Sequence, residues 1–581
     1  MPSSSSGVPR FRLVFRLSLG LGLGGVVAAC AGIHTVEPVV GAAGGAAGSV
    51  GVGGGPATGT GGTARGGLLL GGGGASGRGQ GVTCSPCTDF PAAPIFDSGA
   101  PDNSQALLGP SGGSGASAPG STAPCLLEPE DGSLFPRNWL RPRFRFAPAG
   151  NQDLFELRLH VDNQANDLVV YTTATSWTMP KDLWKSLSID ATDRDIAVTV
   201  RGVARAAAGA GGGASSAASA TIRIAPASAD GTIVYWTTSG GSALKGFHVG
   251  DESVTTVLTP SNASGQCVAC HSSTPDGAFI GFSASPIVSG NSSHIEIRSG
   301  QNPAQQPSFL SASAQTLLAR VQQQLPTFSR GHWTSGDHVL VVAESDTPGV
   351  PARTHLDWID LEASSTAQGV GWGELARTGD PGAGPAHPFF SHDGQSLVYA
   401  SSSGMINGGI VDHGDLYRIP FADRKGGAAS PIPGASTTQW NEFYPALSSD
   451  DGLLAFTRTP DGQTSYENAA AEIFVVRAAG GTPTRLRAND PVACLGRTSP
   501  GLTNSWPKWA PTAGSVLGKT YHWLIFSSKR LDQSHPQLFM AAVVEDEFGF
   551  STTPALYLWN QPAGENNHTP AWDVFQIPAV E

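Results

Sequence analysis

Residues 387–403 read HPFFSHDGQSLVYASSS, and this stretch is one copy of a frame that recurs through the second half of the chain. The frame consists of a proline, an aromatic residue or leucine two positions later, a turn that contains glycine, and an apolar strand. Further copies read LPTFSRGHWTSGDHVLVVAES (325–345), YPALSSDDGLLAFTRTP (444–460), WPKWAPTAG followed by HWLIFSSKR (506–530) and, in shortened form, TPAWDVFQIP (569–578). Their prolines, at 326, 388, 445, 507 and 570, lie 62, 57, 62 and 63 residues apart. Such regular spacing indicates one structural unit that is used repeatedly.

A period of roughly 60 residues is long enough for a four-stranded sheet with its loops. The frame resembles the TolB-type, WD40-like β-propeller repeat, whose core looks like Pro-x-Trp-Ser-Pro-Asp-Gly followed by a strand. The resemblance covers roughly residues 230–581 and implies a β-propeller over that range. Aligning Asp276-Gly277 with Asp393-Gly394 adds one more copy, in which His271 takes the place of the proline.

The two ends of this region predict how many sheets it forms. Residues 231–260 contain three apolar strands, and the C-terminal copy TPAWDVF contains one. Together they complete a sixth four-stranded sheet, which joins the two chain ends and leaves only short, protected edges. We therefore predict a six-bladed propeller over residues 229–581, with the last strand as its closing strand.

The N-terminus has the layout of an export signal. Three arginines precede an apolar run from Leu17 to Ala29 that is too short to span a bilayer. The run ends in Val-Ala-Ala-Cys, which resembles the lipobox of bacterial lipoproteins. That resemblance implies a signal peptide over residues 1–30 and lipidation of Cys30, which would hold the protein to a membrane of the cell envelope, in the periplasm or at the outer membrane. The alternative, a plain secretory signal cut near the same place, also exports the chain.

Two further regions separate the signal from the repeats. Residues 31–126 are dominated by Gly, Ala, Ser and Thr, as in GAAGGAAGSVGVGGGPATGTGG, and predict a disordered, flexible stalk with a Cys-x-x-Cys insert. Residues 127–228 contain short alternating segments, among them RPRFRFAP, DLFELRLHV, DLVVYTTA, DIAVTVRGV and ATIRIAPA. About a hundred residues of such strands predict an immunoglobulin-like or fibronectin III-like β-sandwich. The fold class predicted for the chain is therefore all-β.

Residues 267–271 read CVACH and lie at the start of the first repeat copy. Two thiols three positions apart can reach the two vinyl groups of a haem, and the adjacent histidine can ligate its iron. The pattern resembles that of cytochromes c, which implies Cys267 and Cys270 as thioether residues and His271 as the proximal ligand of one c-type haem. The flanking residues, however, have the pattern of blade strands rather than of the helices that enclose haem in a cytochrome c domain. A Cys267–Cys270 disulfide or a pair of reduced buried thiols is one alternative, and another metal such as zinc is a second.

The iron of a haem at this place would have a sixth coordination position, for which the sequence offers several candidate ligands. His568, in the closing strand, is the first candidate, and His387, which also lies next to a repeat proline, is the second. Met405, in a glycine-bracketed loop, and Met540, in an apolar strand, are weaker candidates. Two histidines on the iron would support electron transfer, whereas an open position would permit ligand binding or peroxide chemistry.

The remaining cysteines predict disulfides. In an oxidising compartment, Cys84, Cys87, Cys125 and Cys494 could form two of them. The sequence leaves their pairing open.

Charge and missing signatures narrow the function. The net charge of −12, with no run of Lys or Arg beyond the first sixteen residues, argues against a nucleic-acid partner. The sequence contains no metalloprotease or phosphate-binding motif, so no catalytic residue is predicted and a non-enzymatic role is favoured. We expect an exported, haem-bearing lipoprotein that acts in extracytoplasmic electron transfer or other haem-based redox chemistry, with a redox or envelope protein as partner. The alternative is a haem-free propeller that binds a protein, peptide or envelope polymer.

Overall fold

The computed structural model describes residues 88–97, 99–110, 122–206, 216–264, 267–285, 293–346, 354–382, 384–402, 404–406, 409–464 and 467–579. Of residues 404–406 and 409–412 only the backbone is described. The predicted signal peptide, most of the predicted stalk, and the cysteines Cys30, Cys84 and Cys87 lie outside these ranges. Within the described ranges the protein is all-β, as predicted, with a few short helices.

The first region of β-structure contains two sheets. The larger has the strand order β1-β6-β5-β8-β9-β3 and the smaller has the order β2-β4-β7. Side chains of both sheets, such as Phe146 and Leu157, meet in one apolar cluster, which is the packing expected of a β-sandwich. The strands are β1 (Ile95–Phe96), β2 (Cys125–Glu128), β3 (Leu134–Phe135), β4 (Arg143–Ala147), β5 (Leu154–Val161), β6 (Leu168–Thr172), β7 (Ser176–Thr178), β8 (Ile196–Val203) and β9 (Ala218–Ile224), and the helices are α1 (Ser104–Leu108) and α2 (Lys181–Asp190).

The five strands predicted in this region are confirmed as β4, β5, β6, β8 and β9, but two features differ from the prediction. Strand β1 and helix α1 lie in the range expected to be a flexible stalk, yet β1 pairs in parallel with β6. Ile95 of β1, Leu108 of α1 and the preceding Phe90 pack on apolar side chains of the first region, which offsets the glycine-rich composition around them. Helix α2 occupies a stretch where we predicted no helix, because Trp184 and Leu187 have helical spacing and are buried on one face.

Six sheets follow one another from residue 232 onward, and we number them sheet 1 to sheet 6 in chain order. Neighbouring strands within each sheet are antiparallel. Sheet 1 begins with β10 (Thr232–Thr237), β11 (Ala243–His248) and β12 (Thr255–Leu258); sheet 2 contains β13 (Cys267–Ser273), β14 (Phe279–Ser285) and β15 (His294–Ser299); sheet 3 contains β16 (Gln323–Phe328), β17 (Val339–Ser345), β18 (Thr354–Asp360) and β19 (Trp372–Glu374); sheet 4 contains β21 (Gly384–Phe390), β22 (Ser396–Ser402), β25 (Asp415–Pro420) and β27 (Ser430–Pro431); sheet 5 contains β28 (Trp440–Leu447), β29 (Leu453–Pro460), β30 (Glu472–Arg477) and β31 (Thr484–Arg485); sheet 6 contains β32 (Ser505–Trp509), β33 (Gly514–Val516), β34 (Lys519–Ser528), β35 (Gln537–Asp546), β36 (Gly549–Thr552) and β37 (Leu556–Tyr557).

Smaller elements lie between and beside these sheets. Two strand pairs are β20 (Ala376–Thr378) with β26 (Gly426–Ala428) and β23 (Gly404–Ile406) with β24 (Gly409–Asp412). The helices are α3 (Ala312–Leu318) and α4 (Arg330–Thr334), with single 3₁₀ turns at Pro260–Asn262, Ala422–Arg424, Arg487–Asn489 and Ala493–Leu495. In the part of the chain that the structure describes, no helix has the length and apolar composition needed to cross a bilayer.

The last strand of the chain, β38 (Asn567–Asp573), returns to sheet 1. It pairs antiparallel with β10, where Ile233 lies opposite Trp572 and Thr237 lies opposite Asn567. Sheet 1 therefore has the order β12-β11-β10-β38. The pairing of the two chain ends in one sheet, which the one-strand C-terminal copy predicted, is thus observed.

The strands of these sheets are apolar on both faces. In β10, Ile233 and Tyr235 belong to one apolar cluster, whereas Val234 and Trp236 belong to another. Successive side chains of a strand point to opposite faces, so each sheet is covered on both sides. Each pair of consecutive sheets shares one such cluster, and sheets 6 and 1 also share one.

The first region packs against sheets 1 and 6. Its apolar cluster is continuous with side chains of both sheets, including Tyr235 and Trp523. At the polar margin, the indole Nε1 of Trp559 donates a hydrogen bond of 2.9 Å to the carbonyl of Arg141. A disulfide between Cys125 of β2 and Cys494 joins the two parts of the chain across 369 residues.

The Asp276-Gly277 turn provides a test of how the C-terminal tail docks. Gly277 has a φ of +75°, and a Cβ there would lie 1.9 Å from the carbonyl oxygen of Val574. We expect Gly277→Ala to lower the free energy of unfolding by about 2 kcal/mol or more, because backbone strain and a clash with fixed backbone combine. The measurement is urea unfolding followed by circular dichroism.

Gly462→Ala is the matched control for this substitution. Gly462 has a φ of +76° with nothing within 4 Å of its built Cβ, so it isolates the cost of the backbone conformation, on the order of 1 kcal/mol. Equal losses in the two variants would contradict the proposed contact between the turn and the tail.

Candidate functional site

One cavity of about 130 Å³ is lined by residues from one strand of every one of the six sheets. These strands, which we call the inner strands, are β13, β16, β21, β28, β32 and β38, and each carries one copy of the repeat. We call the cavity the inner-strand cavity. Its lining includes His271, Leu325, His387, Tyr444, Trp506 and Asp573.

A bulge interrupts each inner strand. The register of its pairing shifts at or next to the repeat proline, or at its counterpart in β13. A bulge bends a strand and can re-aim a side chain. In five of the six strands the residue before the proline also has a positive φ, which L residues adopt at a cost of roughly 1–3 kcal/mol and mostly at functional sites. These residues are Leu325 (56°), His387 (52°), Tyr444 (53°), Trp506 (63°) and Thr569 (37°), of which the first four line the inner-strand cavity.

His387, Tyr444 and Trp506 form an aromatic wall of the cavity. The ring centroids of Tyr444 and Trp506 lie 3.9 Å apart, and those of His387 and Tyr444 lie 4.4 Å apart. His387 is only 8% exposed, and its Nδ1 has no hydrogen-bond partner among the described residues. Leaving a buried polar atom unpaired costs about 1–3 kcal/mol, so this nitrogen is a candidate contact for a bound molecule.

Two of the three histidines that line the cavity, His271 and His387, are neutral at physiological pH. Burial lowers the pKa of His271 to about 4 and that of His387 to about 3, and the positive charge of Lys508 acts in the same direction. The Nε2 of His271 lies 3.1 Å from the carbonyl oxygen of Val234, so a neutral ring donates there and leaves Nδ1 as an acceptor. That Nδ1 has no partner in the described ranges.

Two cations and one carboxylate also line the cavity. The ammonium of Lys508 lies 4.9 Å from the ring centroid of Phe389, and burial lowers its pKa to about 8 although Cys270 and Asp573 oppose that shift. Arg330, at the start of α4, is the second cation. Burial raises the pKa of Asp573, whose carboxylate accepts the N–H of Val574 at 2.8 Å.

The CVACH motif lies in β13, and its two cysteines have different environments. Cys267 is 1% exposed, has its Sγ 3.3 Å from the hydroxyl oxygen of Ser242, and takes part in a disulfide. Cys270 is a free, buried thiol, and burial raises its pKa to about 12. The alternative of a Cys267–Cys270 disulfide is therefore not formed.

This arrangement does not fit a c-type haem. Both sulfur atoms belong to buried side chains of the cluster between sheets 1 and 2, and the imidazole of His271 is bonded to Val234. For the zinc alternative, no group of three or more His, Cys, Asp or Glu side chains that could hold a metal ion occurs in the described ranges.

The structure separates His568 from His271. His568 lines a different cavity, of about 20 Å³, together with Glu467 and Lys529. Its ring lies 5.7 Å from that of Trp236, and burial lowers its pKa to about 3. His387, the second candidate for a distal ligand, is the one that shares the cavity with His271. Met540 is fully buried in the core, and the side chain of Met405 lies outside the described set.

The structure also decides one disulfide pairing that the sequence left open. Cys125 pairs with Cys494. The other two cysteines of that set, Cys84 and Cys87, lie outside the described residues.

Sequence reasoning missed Tyr444, Trp506 and Lys508 as cavity residues. A signal was present, because each of these residues flanks a repeat proline at a position where most of its counterparts also line the cavity. At the position after that proline, Lys508 is the one charged residue, whereas the counterparts are Thr327, Phe389, Ala446 and Ala571.

Comparison with known proteins adds little. No family model and no curated protein matches the chain. Among solved structures, TolB from Acinetobacter baumannii aligns over 66% of this chain and 80% of its own, at 13% identity and a TM-score of 0.36. Hydrazine synthase from Kuenenia stuttgartiensis aligns over 59% of this chain and 46% of its own, at 10% identity and a TM-score of 0.36. TM-scores of this size support no conclusion about function. The fold is therefore described from the sheet topology, and the candidate site is defined by the cavity.

Buried neutral histidines make stability depend on pH. The pKa of His387 is lower in the folded state than in the unfolded state. The stability that depends on its neutral ring is therefore complete at pH 7 and is lost as the pH falls from about 6.5 towards 3. The test is His387→Asn, because asparagine tolerates a positive φ. Between pH 7 and pH 4 the free energy of unfolding should fall in both proteins, and the fall should be smaller in the variant by on the order of 3 kcal/mol. Urea unfolding at the two pH values measures this. His535→Asn, at a half-buried histidine outside the cavity, is the control, and identical pH dependence in both variants would contradict the assignment.

The poor fit of the motif to haem predicts the outcome of a haem stain. We expect no stained band when the full chain, exported by a host with c-type maturation machinery, is run on a denaturing gel, because only covalent haem survives that gel. A known cytochrome c expressed in the same host verifies the machinery. A band in the parent that vanishes in Cys267→Ala/Cys270→Ala would overturn this expectation and establish haem attachment.

Proposed function

We propose that the protein is an exported lipoprotein whose second half is a six-bladed, TolB-like β-propeller, and that this propeller is a haem-free scaffold that binds a ligand in the inner-strand cavity. The observation that carries the proposal is the cavity itself, because one strand of each of six sheets supplies its wall. In a propeller, the inner strands surround a central channel. Binding there would use residues that come from every blade.

The cyclic sharing of apolar clusters supports the ring. Sheet 6 shares a cluster with sheet 1, as each earlier sheet does with the next, and β38 completes sheet 1. Six such sheets packed face to face form a closed ring, in which both faces of every sheet are covered.

The Cys125–Cys494 disulfide supports export. Disulfides form and persist in oxidising compartments and are rare in the cytosol. The proposed place is the cell envelope, with lipidated Cys30 as the membrane anchor. Replacing Cys30 with serine should release the protein from the membrane fraction while leaving the rest of the fold unchanged.

Strain and unpaired polar atoms support binding over a purely structural role. Four residues with positive φ face the cavity, and the Nδ1 atoms of His271 and His387 have no partner in the described part of the chain. Strained backbone conformations and unpaired buried polar atoms are concentrated at sites that are preorganised for a ligand.

Extracytoplasmic electron transfer through a haem on Cys267, Cys270 and His271 is the second candidate function. The spacing of the motif favours it, and it stays a prediction. The geometry of β13 favours the haem-free scaffold, and the haem stain distinguishes the two.

Ligand-induced stabilisation tests the scaffold. Peptide pools, peptidoglycan fragments and envelope oligosaccharides are added to the full chain in detergent, and the melting temperature is measured. A ligand at a hundredfold excess over its Kd stabilises by about 2.7 kcal/mol, which raises the melting temperature by about 2 °C or more. We expect at least one pool to do this.

Tyr444→Ala removes part of the aromatic wall and should abolish the shift, whereas His535→Ala, at a half-buried histidine outside the cavity, should retain it. A shift that persists undiminished in Tyr444→Ala would place the binding site elsewhere. If no pool shifts the parent, the proposed binding role is contradicted.

A further inference from the structure

The inner-strand cavity contains cations without matching anions. Most arginines of the chain are paired with carboxylates, as in Arg458 with Glu442 at 2.9 Å and Arg485 with Glu472 at 2.8 Å. Lys508 and Arg330 line the cavity, yet neither forms an ion pair with a carboxylate in the described ranges. This is unexpected in a chain with a net charge of −12. A partly buried cation that lacks a partner is costly unless a ligand supplies the opposite charge.

The one carboxylate in the lining can balance at most one of these two cations. Burial raises the pKa of Asp573, and the N–H of Val574 together with the charges of Arg330 and Lys508 oppose that shift. His392 also lines the cavity, but its Nδ1 lies 2.7 Å from a carboxylate oxygen of Asp451. The balance of the cavity is therefore positive.

The remaining wall is apolar and aromatic. Phe389 lies beneath the ammonium of Lys508, and the rings of Tyr444 and Trp506 pack against each other at an angle of 42°. The nearby hydroxyl of Ser272 is already bonded to the carbonyl of Pro326 at 2.6 Å. An apolar ring would find contacts on these side chains, while the donors of Lys508 and Arg330 favour an anionic group.

Resting on the proposed binding function, we propose that the occupant of the inner-strand cavity is a carboxylate attached to an apolar, ring-bearing group. Lys508 and Arg330 face the carboxylate, and the neutral imidazole of His387 can add a hydrogen bond. The ring packs on the aromatic wall. A free aromatic acid and the C-terminal residue of a peptide share this chemistry.

Titration calorimetry on the full chain in detergent tests the proposal with defined probes. The acids are 3-phenylpropionate and the peptide acetyl-Ala-Ala-Phe with a free C-terminus. The neutral partners are 3-phenylpropanamide and the same peptide with an amidated C-terminus, and inorganic phosphate serves as an anion without a ring. We expect at least one acid to bind at least tenfold more tightly than its amide and than phosphate. Which acid binds identifies the source as a free acid or a peptide end.

Variants locate the interaction. Lys508→Gln and Arg330→Gln should each weaken binding of the acid at least tenfold, whereas Lys508→Arg should retain most of it because the charge is kept. Lys425→Gln, at a side chain that is 79% exposed, is the matched control and should bind like the parent.

Five outcomes would overturn the proposal. An amide that binds as tightly as its acid, or Lys508→Gln that binds like the parent, removes the role of charge, and phosphate that binds as tightly as the acids removes the role of the ring. If only a neutral ligand binds, and Tyr444→Ala abolishes that binding, the anion assignment fails while the proposed scaffold function stands. If neither these probes nor the envelope pools bind, both proposals fail.

Discussion

The need to bury both faces of every sheet governs the second half of this protein. In β10, Tyr235 and Trp236 point in opposite directions and both are almost fully buried. Burying one such side chain contributes about 1.5–3 kcal/mol, so leaving either face of the sheet in water would be costly. Stacking sheets covers the faces in the interior of a series, but the first and last sheets would each remain exposed on one side. Sheets 1 and 6 meet this need by sharing a cluster with each other, and the first region of the chain extends that cluster.

The inner strands share a second constraint. Each lies at the edge of its sheet in the described part of the chain, and all six line one cavity. The bulges at the repeat prolines turn one residue per strand out of the regular alternation. The wall of the cavity is chemically varied because each sheet supplies a different residue at the same structural position. His387, Tyr444 and Trp506 differ for this reason although their backbones are alike.

The CVACH motif shows why five residues do not fix a chemistry. In cytochromes c the pattern is surrounded by structure that encloses haem, whereas here it belongs to an inner strand between two packed sheets. Cys267 and His271 find protein partners there, and Cys270 is protonated in an apolar environment. His568, chosen as a distal ligand because the closing strand neighbours β13, lines another cavity. The two histidines therefore line different cavities although their strands are neighbours.

The amino-acid sequence alone determined the positions of most strands, the repeat and the pairing of the two chain ends, because apolar alternation and the spacing of prolines are local properties that each segment carries with it. It did not reveal that Phe90 and Ile95 pack on the first region, since a glycine-rich composition masks a few apolar residues. The tertiary structure alone decided that Cys125 pairs with Cys494 and that Lys508, His387 and Tyr444 share one cavity. These long-range contacts depend on how each sheet is rotated and on where each bulge falls. The rotation and the bulges follow from the packing of all the sheets together rather than from any one segment.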